Sequence, residues 1–283
     1  MQHKKLNTKS IVINGVVTSY WENNDTSSQK VVLALHGFMS DLRSIQPFVS
    51  DLLVDDQTRV LLPDLPGFGS SEPLGDDATI DDYVAWAEAF VHSVTPNAKQ
   101  ITIVGYSFGA YIAVKFAAAP SNSLVHKLIL ITPVVKISPR VRIYSDGFDL
   151  LAALSMRAAS KLYMWPPSFD FTTYYLSKTK NKTVRQKLRL YRRQELEALR
   201  PELVLNLYRR LLEIELQSYA ADLRVPVLVV MAEKDNVAFN HFTNNFMKDI
   251  QTSVVEVTIP SAGHLLPFEE PERLAAAVNN HGI

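Results

Sequence analysis

The 283-residue chain contains no cysteine. That excludes a disulfide scaffold, a thiolate metal site and a cysteine nucleophile, and it fits a reducing compartment. No apolar segment approaches the ~20 residues that a membrane span needs. The N-terminus, MQHKKLNTKSIVINGVV, has basic residues but no continuous apolar run behind them, so it reads poorly as a signal peptide. Net charge is zero, with 29 lysines and arginines against 29 acids, which gives no argument for nucleic acid or a membrane as partner. There is no internal repeat and no low-complexity tract. With 47% hydrophobic and 20% charged residues, the composition is that of a soluble globular protein able to bury a large core. A cytoplasmic protein is the expectation.

What the chain does have is alternation. Short β-branched runs at Val31–Leu35, Val60–Leu62, Ile101–Val104, Leu128–Ile131, Val227–Met231 and Val254–Ile259 read as strands buried on both faces. Between them, Asp41–Val54, Thr79–Val94, Phe108–Ala119, Phe239–Ile250 and Glu269–Val278 read as helices. Strand alternating with helix predicts an α/β fold with a mostly parallel, doubly wound sheet. Ile11–Tyr20, with Asn14-Gly15 inside it, predicts a hairpin ahead of that alternation.

The alternation is interrupted once, between about Pro133 and Ala220. This stretch reads as helical, strongest at Arg185–Arg193 and Glu202–Tyr219, with a break at Trp165-Pro166-Pro167. The expected organisation is a core made of residues 1–132 and 221–283 with a helical insertion at 133–220. Residues 133–220 carry 16 basic against 8 acidic side chains, so the insertion is basic and the remainder acidic.

The strongest chemical signal is Gly105-Tyr106-Ser107-Phe108-Gly109, placed between a strand and a helix. A G-x-S-x-G pentad in that context predicts a nucleophile elbow, in which a sharp turn lifts the serine hydroxyl above the sheet at a helix N-terminus. A tight turn without chemistry is the alternative. A serine hydroxyl needs a base. Of the seven histidines, His264 follows the strand Val254–Ile259 on the Ser261-Ala262-Gly263 loop. His92, His126 and His241 fall on expected helices or their edges, and His3 and His281 are terminal. The base in turn needs a carboxylate. Both Glu233 and Asp235 follow the strand Val227–Met231, and either could instead cap the next helix. For a developing oxyanion, the Phe108 N–H is one candidate donor. The Phe38 N–H in His36-Gly37-Phe38 is the other, with His36 itself a structural hydrogen-bonder.

Taken together, these motifs resemble the α/β-hydrolase superfamily over nearly the whole chain, in its serine branch. The order Ser107, Asp235, His264 is that family's nucleophile, acid and base order, and it selects Asp235 over Glu233. Further matches are Pro63-Asp64-Leu65-Pro66-Gly67-Phe68-Gly69-Ser70-Ser71 and Gly263-His264 followed by Glu269 and Pro271. Glu233 and Ala110 stand where the family often has glycine. The resemblance implies a serine hydrolase acting on a small or medium ester-like substrate, with no metal or organic cofactor and with residues 133–220 as a cap. The same triad serves carbon–carbon cleavage, acyl transfer or elimination elsewhere in the superfamily, and slow-turnover receptors share the fold. In the cap, Tyr163-Met164-Trp165 and Phe169-Asp170-Phe171 are candidates either for a pocket lining or for packing onto the core. The run Lys178, Lys180, Lys182, Arg185, Lys187, Arg189, Arg192 and Arg193 reads first as a solvated helix face. Its sharper reading is an attractor for an anionic substrate or an acidic carrier protein.

Overall fold

The computed structural model describes residues 8–23, 28–52, 58–136, 165–213 and 215–281, with main chain alone at 166, 168, 169, 201, 202 and 212. Tyr163 and Met164 lie outside the described residues.

The described residues form a sheet of eight strands in the order β1-β2-β4-β3-β5-β6-β7-β8. β1 (Lys9–Ile13) and β2 (Val16–Glu22) are the expected hairpin. Asn14 and Gly15 both take positive φ in its turn, where glycine is favoured and asparagine is tolerated. β2 also runs antiparallel to β4 (Thr58–Pro63). The rest of the sheet is parallel: β4, β3 (Lys30–Leu35), β5 (Gln100–Tyr106), β6 (Val125–Ile131), β7 (Val227–Ala232) and β8 (Val254–Ile259).

Alternate residues of β3 to β7 feed two separate cores, which is why those runs are apolar throughout. Leu33, Ile103, Leu130 and Val229 pack with Trp86 and Phe90 of α2 (Ile80–Val94) and with Ile112 and Phe116 of α3 (Phe108–Ala118). Ala34, Val104, Ile131 and Val230 pack on the other face with Phe48 of α1 (Gln46–Ser50). α2 starts at a capping box, in which Thr79 and Asp82 satisfy each other's main-chain N–H.

Between β6 and β7 lie α4 (Pro166–Leu176), α5 (Lys182–Ala198) and α6 (Pro201–Leu212). After β7 come α7 (Asn240–Asp249), α8 (Leu266–Glu269) and α9 (Pro271–Asn279).

Several elements differ from expectation. Asp41–Val54 is not one helix: a 3-10 turn at Leu42–Ser44, capped by the Asp41 carboxylate, precedes α1, and Pro47 sits in α1's first turn. Glu269–Val278 is split at Glu270, before Pro271. In Glu202–Tyr219 the α-helix ends at Leu212, and a 3-10 helix covers Leu216–Asp222. His126 lies in β6 rather than at a helix edge. β8 is an edge strand with half its residues open to solvent, not one buried on both faces.

Candidate active site

The C-terminal ends of β3, β5, β7 and β8 share one rim of the sheet, where open α/β sheets place their ligands. Ser107 follows the last residue of β5 and starts α3. Its backbone, at φ 51 and ψ −107, is a strained conformation for a residue with a Cβ. The chain can turn so tightly because its neighbours are small. A Cβ on Gly109 would stand 2.2 Å from the Leu35 carbonyl oxygen, and one on Gly105 would stand 2.5 Å from Ala110 Cα.

The structure brings Ser107, His264 and Asp235 together. Ser107 Oγ lies 2.9 Å from His264 Nε2, and His264 Nδ1 lies 2.8 Å from Asp235 Oδ2. The other carboxylate oxygen of Asp235 accepts the N–H groups of Val237 (2.7 Å) and Ala238 (2.9 Å). With an acid at Nδ1, the imidazole keeps its proton there and turns the Nε2 lone pair toward the serine. All three side chains are withdrawn from solvent. Glu233 is not part of this chain. Its carboxylate accepts the Ser261 N–H at 2.7 Å and so holds the turn before His264, where Ser261 has φ 65.

Phe38 and Phe108 also meet here. Gly37 packs so close that its missing Cβ would lie 3.0 Å from the Tyr106 ring and 3.5 Å from Ser107 Cβ, and the Phe38 and Phe108 rings are edge to face at 6.3 Å. Neither main-chain N–H finds an acceptor among the described residues. His36 is a structural hydrogen-bonder: Nε2 accepts the Leu65 N–H at 2.9 Å, and Nδ1 faces the Gly37 carbonyl at 2.8 Å. Burial pushes its pKa down to about 4, so the ring is neutral and keeps both bonds. Asp64 organises the Pro63–Ser71 turn by accepting N–H groups from Leu42 and Ser70, while burial pushes its carboxyl up to about 7.

The serine opens into a cavity of about 670 Å³ with a mainly apolar wall, to which Met39, Tyr111, Val134, Phe171, Leu188 and Tyr208 contribute. Trp165 and Phe171 both border it and both remain more than half exposed. The Phe169 side chain lies outside the described residues. Among the described residues, no group of three or more histidines and acids is placed to hold a metal, and no helix is long and apolar enough to cross a membrane.

The basic run is not uniform. Lys180, Lys182, Arg185, Lys187, Arg189 and Arg193 are exposed, the last two paired with Asp170. Arg192 is buried, and so are Leu188 and Glu195, which share its face of α5. The 188, 192, 195 spacing of an inward helical face is visible in the sequence, but two charged residues on it gave no signal of burial.

The alpha/beta hydrolase family model matches residues 31–277. The chain belongs to that family. It is 33% identical over 97 residues to the biotin biosynthesis bifunctional protein BioHC of Teredinibacter turnerae, a match covering 34% of this chain and only 16% of that relative's length. In fold, this member of the alpha/beta hydrolase family is similar to a thermophilic esterase from Thermogutta terrifontis, with TM-score 0.78, 22% identity and 97% of each chain covered. It is also similar to the enol-lactonase from Burkholderia xenovorans LB400, with TM-score 0.77 and 18% identity over 96% of this chain and 98% of the other.

Proposed function

We propose that the protein is a serine hydrolase that cleaves a small or medium ester-like substrate through an acyl-enzyme on Ser107. The observation that carries this reading is the unbroken hydrogen-bonded chain from Ser107 Oγ through His264 to Asp235, opening into a mainly apolar cavity. His264 Nε2 takes the proton from Ser107 as Oγ attacks the carbonyl carbon. The carbonyl π pair moves onto oxygen, and the amides of Phe38 and Phe108, with the N-terminus of α3, stabilise that charge. As the intermediate collapses, the scissile bond breaks and the imidazolium returns the proton to the leaving oxygen. Water, deprotonated by the same nitrogen, then attacks the acyl-enzyme and frees Ser107. Asp235 holds the imidazole and balances its positive charge without taking the proton.

Residues 133–220 act in this reading as a cap that selects the acyl group, because α4 to α6 supply much of the cavity wall. The exposed cations of α5 draw an anionic substrate or an acidic carrier toward the mouth. Raising salt from about 0.05 to 0.5 M then lowers kcat/KM for a carboxylate-bearing ester but not for a neutral one; equal sensitivity removes the charge argument. The test of the main reading is hydrolysis of p-nitrophenyl esters of increasing acyl length by wild type and His264→Ala. The expected result is turnover with a length optimum, lost in the variant. Wild-type protein inert toward every ester contradicts it.

A further inference from the structure

The inserted helices are tied to three of the four loops that carry the site, those after β3, β7 and β8. His264 N–H donates to the Leu176 carbonyl at 3.0 Å, and Asn236, beside Asp235, donates to the Tyr175 carbonyl at 3.0 Å. The third tie, to the loop after β3, is made by buried charge. Arg192 Nη1 donates to Glu195 Oε2 at 2.7 Å and to the Met39 carbonyl at 2.7 Å. The Tyr191 hydroxyl stands between Glu195 and Asp41, and Arg43 pairs with Asp41 at 2.5 Å while lying over the Tyr191 ring.

A buried ion pair is a weak source of stability, since desolvating the two charges offsets most of their attraction. Its effect here is on geometry. Met39 has φ 52, a strained conformation for a residue with a Cβ that persists only when its surroundings enforce it. The guanidinium of Arg192 grips the carbonyl of that strained residue, one position beyond Phe38.

We propose that Arg192, held by Glu195, is a positioning residue: through the Met39 carbonyl it keeps the Phe38 N–H aimed at the carbonyl oxygen of a substrate attacked by Ser107. This rests on the oxyanion role given to Phe38 above. Without the grip, Met39 relaxes toward negative φ and the amide turns away. What is lost acts on the tetrahedral oxyanion more than on the bound ester, so kcat falls while KM holds.

The experiment compares wild type, Arg192→Met, Met39→Gly and the double variant. It reads kcat and KM for a p-nitrophenyl ester and Ki for an alkyl trifluoromethyl ketone. Ser107 Oγ adds to the ketone carbon, its proton passes to His264, and the adduct oxygen becomes the oxyanion. Arg192→Met is expected to lower kcat about 10- to 100-fold and raise Ki by a similar factor, with KM within threefold. Glycine takes φ 52 without strain, so the loss from Arg192→Met shrinks in the Met39→Gly background. If Arg192→Met does not fold, Arg192→Gln, too short to reach Met39, is judged by the same criteria. Folded variants with kcat and Ki within twofold of wild type overturn the proposal. So does a rise in KM alone. Wild-type protein with no ester turnover and no ketone adduct contradicts instead the acyl-enzyme reading on which the proposal stands.

Discussion

The Tyr106 hydroxyl donates to the main-chain carbonyl of His264 at 3.0 Å. Tyr106 is the last residue of β5, directly before Ser107, so one buried hydrogen bond ties the strand that leads into Ser107 to the loop that carries His264. Removing the hydroxyl leaves a buried carbonyl unsatisfied, at a cost of about 1–2 kcal/mol, and lets the two loops slide. Tyr106→Phe is expected to unfold at lower urea concentration and to lose about tenfold in kcat, because sub-ångström misplacement is expensive in catalysis. Steady-state kinetics beside urea titration check both.

Asp235 and Glu233 separate cleanly by what they touch. Asp235→Asn presents a mixed donor and acceptor to His264 Nδ1 and favours the wrong tautomer, so kcat is expected to fall by about 10⁴. Glu233→Gln keeps an acceptor for the exposed Ser261 N–H and should change kcat less than about threefold. If the two variants lose similar activity, the assignment of the acid is wrong.

His36 sets an acid limit on the fold. Its pKa falls from 6.5 in the unfolded chain to about 4 in the folded one, because burial disfavours the imidazolium. The folded state therefore binds fewer protons between those values. The contribution is fully present above about pH 6.5 and is lost as pH drops through 6.5 toward 4. Its ring resonances should stay those of the neutral form down to about pH 5, and urea midpoints of wild type relative to His36→Gln should decline over the same interval.

Gly109 has no freedom to change. Any Cβ there meets the Leu35 carbonyl, a main-chain atom of the central sheet that cannot swing aside. Gly109→Ala should cost about 3 kcal/mol and turnover with it. An alanine variant of unchanged stability would show that the elbow is looser than its contacts imply.

Much of this arrangement is legible in the sequence. The buried runs Val31–Leu35 and Ile101–Val104 are hydrophobic on both faces because each feeds two cores, and that pattern gives the parallel sheet. Ser107 and His264 can be picked out because each follows a run, Ile101–Val104 or Val254–Ile259, that reads as a strand. Breaks within helices are less visible: Asp41–Val54 reads as continuous until the Asp41 side chain is seen capping a separate turn. β8 reads like its neighbours because edge position depends on the order of strands in space, which a local run does not encode. Arg192 and Glu195 were illegible for a related reason: a charged pair on an exposed helix and one clamped inside the fold have the same sequence spacing. Glu269 is similar. Its carboxylate accepts the Lys178 and Gly263 N–H groups, and only the folded chain puts those within its reach.

The most direct test is covalent. Incubation with a fluorophosphonate, followed by peptide mass spectrometry, should place one phosphonyl group on Ser107. Labelling should be absent in Ser107→Ala and strongly slowed in His264→Ala. Wild-type protein that stays unmodified, or that is modified equally well without Ser107, contradicts the account.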